Sequence, residues 1–81
     1  MGTYGDQFSS AIAAELRAEK GRTKQSYPDL AALTGMAKST LIKYFNADRD
    51  IPTSALMEIC RALGIDPRLI VERAQESIEQ D

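Results

Sequence analysis

The chain has no histidine and a single cysteine. The first absence removes the usual base of serine and cysteine hydrolases and most zinc ligand sets. The second leaves Cys60 unable to form an internal disulfide, and its place in an apolar stretch marks it as a small core hydrophobe. No apolar run approaches the about 18 residues that span a bilayer. The start "MGTYGDQFSS" has neither the basic nor the apolar region of a secretory signal, so the protein is expected in the cytoplasm, with no membrane partner. Asp6 stands where a myristoylation sequence following Gly2 wants Ser or Thr. Carboxylates are scattered, and none is spaced with a nucleophile or as a metal cluster. An enzyme is therefore the last reading, and neither catalytic residue, metal nor cofactor is expected.

What is present is ordinary in amount and particular in arrangement. At 81 residues, 43% hydrophobic and 27% charged, the chain is expected to be one folded domain over 1–81. Apolar residues recur at helical spacing between capping and breaking residues, and no strand-type alternation is sustained, which predicts an all-α fold. Five helices are expected, at about 7–22, 27–34, 38–46, 54–63 and 67–78. Phe8, Ile12 and Leu16 form the apolar face of the first, with Asp6 as its cap. Ser26, Pro28 and Asp29 open the second, Leu30 and Leu33 supply its stripe, and Gly35 closes it. Thr53 or Ser54 is expected to cap the fourth, which buries Leu56, Ile59, Cys60 and Leu63 before Gly64. Asp66 and Pro67 start the fifth as N-cap and first helical residue.

The second and third helices meet across a three-residue turn containing Gly35, the spacing of a helix-turn-helix unit. In "MAKSTLIKYFN", Leu41, Tyr44 and Phe45 share one face, while Lys38, Ser39, Ile42, Lys43 and Asn46 fall on the other. That outward face is basic, carries a hydroxyl and lacks acid. Lysine donates to guanine edges, hydroxyls serve bases or phosphates, and an isoleucine meets a thymine methyl. Tyr44 and Phe45 read as core rather than as a stacking platform for single-stranded bases. Although the chain carries a net charge of −2, charge is segregated along it. Residues 17–49 hold seven cations against three acids, and residues 50–81 hold three against seven. The acidic total thus hides a basic helix-turn-helix half, the distribution that matters to a polyanion.

From "IAAELRAEK" through "DLAALTGMAKSTL" and "NADRDIP" to "LMEICRALGIDP", the chain resembles the lambda-repressor-like (Cro/C1, XRE) helix-turn-helix DNA-binding family, especially its phage and actinobacterial members. The resemblance runs from about Phe8 to Ala74 and implies a compact five-helix fold with the recognition helix in a DNA major groove. It further implies base reading by Lys38, Ser39 and Lys43, with Ile42 beside them, and phosphate contacts from Ser26, Tyr27, Asn46, Arg49 and Thr53, to which Thr40 is added. Three departures stand out. Tyr27 replaces a frequent glutamine and removes an amide clamp between the second and third helices, Lys24 and Gln25 replace a common Gly-apolar pair, and Ala47 replaces the glycine usual after the recognition helix.

A module of this size contacts one half-site, so a palindromic operator bound by a homodimer is expected. Ile70, Val71, Ala74 and Ile78 give the last helix the apolar surface from which an interface could be made. The functional reading is a sequence-specific double-stranded DNA-binding transcriptional regulator, a repressor of phage or phage-derived type. The alternative is an interaction module of the same fold, an antitoxin, antirepressor or adaptor that meets a protein through its acidic half.

Overall fold

The computed structural model describes residues 2–79. Its elements are α1 (Tyr4–Thr23), α2 (Tyr27–Thr34), α3 (Lys38–Phe45), α4 (Thr53–Leu63) and α5 (Pro67–Glu79), with no strand among the described residues. Helix α1 starts earlier than its periodicity suggests. Thr3, not Asp6, is its N-cap: the Thr3 hydroxyl accepts from the Asp6 N–H at 3.1 Å while the Asp6 carboxylate accepts from the Thr3 N–H at 3.2 Å. The same reciprocal box opens α2, with Ser26 and Asp29 exchanging bonds at 3.2 and 3.0 Å. At α5 the Asp66 carboxylate accepts from the Arg68 N–H at 2.9 Å and pairs with the Arg68 guanidinium. Helix α4 corrects an expectation, because Pro52 occupies the capping position, no side chain caps it, and Thr53 is its first helical residue.

The helices close on one core in which Leu16, Leu30, Leu41, Phe45, Ile59, Cys60 and Ile70 have no exposed surface. Each of these Leu, Ile and Phe side chains contributes about 1.5–3 kcal/mol by leaving water. Helix α5 lies along α1 in the most extensive helix pairing of the molecule. Ile70 and Ala74 are consumed there with no exposed surface, so the expectation that they serve a dimer interface is corrected. Val71 packs against the core edge and Ile78 is half-buried. A second correction concerns Leu33. An eight-residue helix wedged between α3 and α4 buries only the Leu30 side, and Leu33 is left 62% exposed.

Candidate nucleic-acid interface

The helix-turn-helix is α2, the turn Gly35–Ala37, and α3. Gly35 adopts φ +76°, the left-handed conformation that ends a helix without a Cβ penalty. Thr34 locks the turn: its hydroxyl donates to the Leu30 carbonyl at 2.7 Å and accepts from the Met36 N–H at 3.2 Å. Met36 then packs on the core. Helix α3 is pinned by Leu41, Tyr44 and Phe45, all buried. With its inner face fixed, helical geometry determines what faces out.

Lys38, Ser39, Lys43 and Asn46 are exposed, as the sequence pattern requires. Ser39, Lys43 and Asn46 hold the middle of the outward face. Ile42 is half-buried on the flank next to Phe45, and it is absent from the hydrophobics packed against the core. Thr40 lies on the opposite flank, in a groove shared with Tyr44, Pro52 and Ser54, so it faces the start of α4 rather than the middle of that surface. Arg49 and Thr53 are exposed in and after the loop that follows α3.

The helix N-termini differ in a way that bears on anion binding. Those of α1, α2 and α5 are closed by their own carboxylates, Asp6, Asp29 and Asp66. Those of α3 and α4 begin at Ala37 and Pro52 with no side-chain cap. Their first-turn N–H groups and the positive ends of their dipoles stay available to phosphate. At α2 the reverse holds. The Asp29 N–H is used by Ser26, the Leu30 N–H by the Ser26 carbonyl, and Pro28 has none, which leaves only the Tyr27 N–H. Bonds from Ser26 hold the Asp29 carboxyl below its ordinary range, so a negative charge stands at that helix start.

The tyrosine in place of glutamine is spent inside the molecule. Its ring meets Phe45 edge-on, with centroids 5.6 Å apart, and lies 4.4 Å from the Lys20 ammonium. An aromatic contact thus joins α2 to the end of α3 where an amide clamp was expected to be missing. Ala47, in the glycine position, adopts φ +61°.

Several cations of the basic half are also engaged internally. Arg17 donates to the Phe45 carbonyl, Lys20 covers Tyr27, and Arg22 pairs with Glu19 at 3.1 Å. Lys24, Lys38, Lys43 and Arg49 have no ion pair among the described residues. The sequence pattern did not disclose the engagement of Arg17, because its partner stands 28 residues further on. Cys60 is buried, and burial, aided by the Asp66 carboxylate, pushes its thiol up to about 11, which makes it inert. No cluster of His, Cys, Asp or Glu suited to a metal occurs among the described residues, and none of their helices is long and apolar enough to cross a membrane.

A rigid two-helix unit that presents a short, basic, acid-free helix face is the architecture of a DNA-binding helix-turn-helix module. The family described as "Helix-turn-helix domain" matches residues 11–72, and the chain belongs to this DNA-binding family, of the lambda-repressor-like type, rather than to an enzyme family. Among solved structures, the clp gene regulator ClgR from C. glutamicum shares the fold with a TM-score of 0.81 at 20% identity, over 88% of this chain and 92% of that one. Mitochondrial citrate synthases of Emericella nidulans and Aspergillus niger are 35% identical over 63 residues, 78% of this chain. The chain spans 12% of the length of these enzymes, too little to bring their activity to it.

Proposed function

We propose that the protein is a sequence-specific double-stranded DNA-binding transcriptional regulator of the cytoplasm, a repressor of phage type that acts by occupying its operator and excluding polymerase. The observation that carries this reading is the outward face of α3, where Lys38, Ser39, Lys43 and Asn46 are all exposed on a helix whose other face is locked into the core. Lys38, Ser39 and Lys43 read base edges, and Ile42 meets a thymine methyl. Asn46, Arg49 and Thr53 contact phosphate, Thr53 with the help of the uncapped α4 N-terminus. Ser26, Tyr27 and Thr40 have smaller parts, since the first two are committed to the α2 cap and the core edge and Thr40 faces α4. The fold shared with the clp gene regulator ClgR supports the same reading.

Two copies bind a palindromic operator with recognition helices about 34 Å apart. On α5, Val71 and Ile78, which the core does not fully bury, and Leu69, 38% exposed, supply their contact.

Selection from random DNA followed by salt titration tests the proposal. With Lys38 and Lys43 at base edges, Lys24 and Arg49 are the uncommitted cations of the basic half left for phosphate, and the slope of log K against log salt is expected to be about −1.8 per chain. Lys43→Ala is expected to cost about 1–3 kcal/mol on the selected site and to relax base preference, whereas Arg49→Ala weakens all sequences alike. Absence of binding at low salt sinks the proposal, and capture of a protein partner by such an inactive module would favour the adaptor alternative.

A further inference from the structure

The last four carbonyls of a helix have no partner within it and must find one elsewhere. In α3 three of the four are satisfied locally. Asn46 N–H donates to the Ile42 carbonyl at 3.0 Å, Asp48 N–H to Lys43 at 2.9 Å, and Ala47 N–H to Tyr44 at 3.2 Å. The last two bonds form a Schellman closure around the left-handed Ala47. The fourth carbonyl, that of Phe45, receives the guanidinium of Arg17 from the middle of α1. A cation at that place also complements the negative end of the α3 dipole.

Lys20 stands one turn beyond Arg17 on α1, and its ammonium lies over the Tyr27 ring at the start of α2. Tyr27 in turn touches Phe45 edge-on. Two cations on one side of α1 therefore hold the first residue of α2 and the last residue of α3, and the two aromatic rings close the triangle.

We propose that Arg17 is a positioning residue for the recognition helix: by capping α3 from α1, it fixes the angle at which Lys38, Ser39 and Lys43 are presented and the place from which Asn46 and Arg49 reach phosphate. The effect on DNA recognition rests on the function proposed above; the tie itself does not. Arg17 neutralises no phosphate in this scheme, although it belongs to the basic half of the chain.

The test uses Arg17→Ala and Arg17→Lys in the full chain, first without DNA. Amide hydrogen exchange at Asn46, Ala47 and Asp48 is expected to accelerate about tenfold or more in Arg17→Ala, as follows from losing a bond to a charged donor. Exchange at Leu16 and Ile70 should stay unchanged. Arg17→Lys keeps the charge but not the planar donor fork, and is expected to fall between wild type and Arg17→Ala. Unchanged exchange at Asn46–Asp48, or equal acceleration everywhere, overturns the proposal. On DNA, Arg17→Ala is expected to lower the preference for the selected site over random sequence several-fold with the salt slope retained. A slope reduced by about 0.9 with preference intact would make Arg17 a phosphate contact and overturn the positioning role. If wild type binds no DNA, the exchange result still decides the tie, and only the functional proposal fails.

Discussion

Replacing Ala47 by glycine is expected to stabilise the protein. Ala47 closes α3 at φ +61°, where its Cβ crowds the following carbonyl. For an ordinary L-residue that conformation costs roughly 1–2 kcal/mol, and glycine is exempt. Against this gain stands the larger freedom of glycine in the unfolded chain, roughly 0.4–1 kcal/mol. The difference spans about 0–1.6 kcal/mol and centres near 0.8 kcal/mol of stabilisation, and for a domain of this size each kcal/mol moves Tm by about 4–8 °C. Calorimetry on Ala47→Gly should therefore show Tm raised by about 2–8 °C, with an unchanged m-value in urea. Gly64→Ala is the mirror control. Gly64 has φ +75° and nothing within 4 Å of an added Cβ, so any loss of stability there is backbone strain alone. A Tm that stays level or falls in Ala47→Gly while Gly64→Ala is destabilised would refute the strain at Ala47.

Two further outcomes follow from titratable groups. The Asp29 and Asp66 carboxyls are held below the ordinary range, Asp29 by its bonds with Ser26 and Asp66 by its bonds with Arg68. Their contribution is present above the unfolded pKa and is lost as pH falls below about 4, so Asp29→Asn should flatten the acid limb of a Tm–pH profile; an unaltered limb would exclude the α2 box as its source. Cys60, with its thiol raised to about 11, contributes in the opposite sense: stability is full below the ordinary thiol pKa and declines as pH climbs through about 11. Cys60→Ala should remove that decline, and the native thiol should react with a disulfide reagent at pH 8 only as fast as the protein unfolds; rapid reaction would show that Cys60 is reachable in the folded state.

Most of the chemistry that a residue works on its own neighbours was readable from the sequence, the caps of α1 and α4 excepted. The Ser26–Asp29 box, the glycine closures at Gly35 and Gly64, the inner face of α3 and the burial of Cys60 all depend on spacings of a few residues, and each appears in the fold. Even the misplaced start of α1 was available, because Thr3–Tyr4–Gly5–Asp6 repeats the pattern of Ser26–Tyr27–Pro28–Asp29. What could not be read depends on which helix lies against which. Leu33 has a core residue's spacing but faces solvent, because α2 is too short and too closely flanked to bury both sides. Ile70 and Ala74 look like spare apolar surface until α5 is laid along the 20-residue α1. Arg17 looks like one more basic residue until α3 ends beside it.

That last point changes how charge should be counted in this chain. Summed along the sequence, residues 17–49 offer seven cations to a polyanion. In the folded protein Arg17, Lys20 and Arg22 already serve a carbonyl, an aromatic ring and a carboxylate. The candidate interface is therefore defined less by total basicity than by what folding leaves uncommitted in that half: Lys24, Lys38, Lys43 and Arg49, and the two helix starts that carry no acid. The acids that produce the negative net charge in part complete the capping boxes of α1 and α2 and cap α5. A carboxylate closing α3 or α4 would repel the phosphates that the proposed function brings to those helix starts. The same economy of charge that stabilises three helix starts thus leaves the other two open to an anion, and an acidic chain can present a basic helix face.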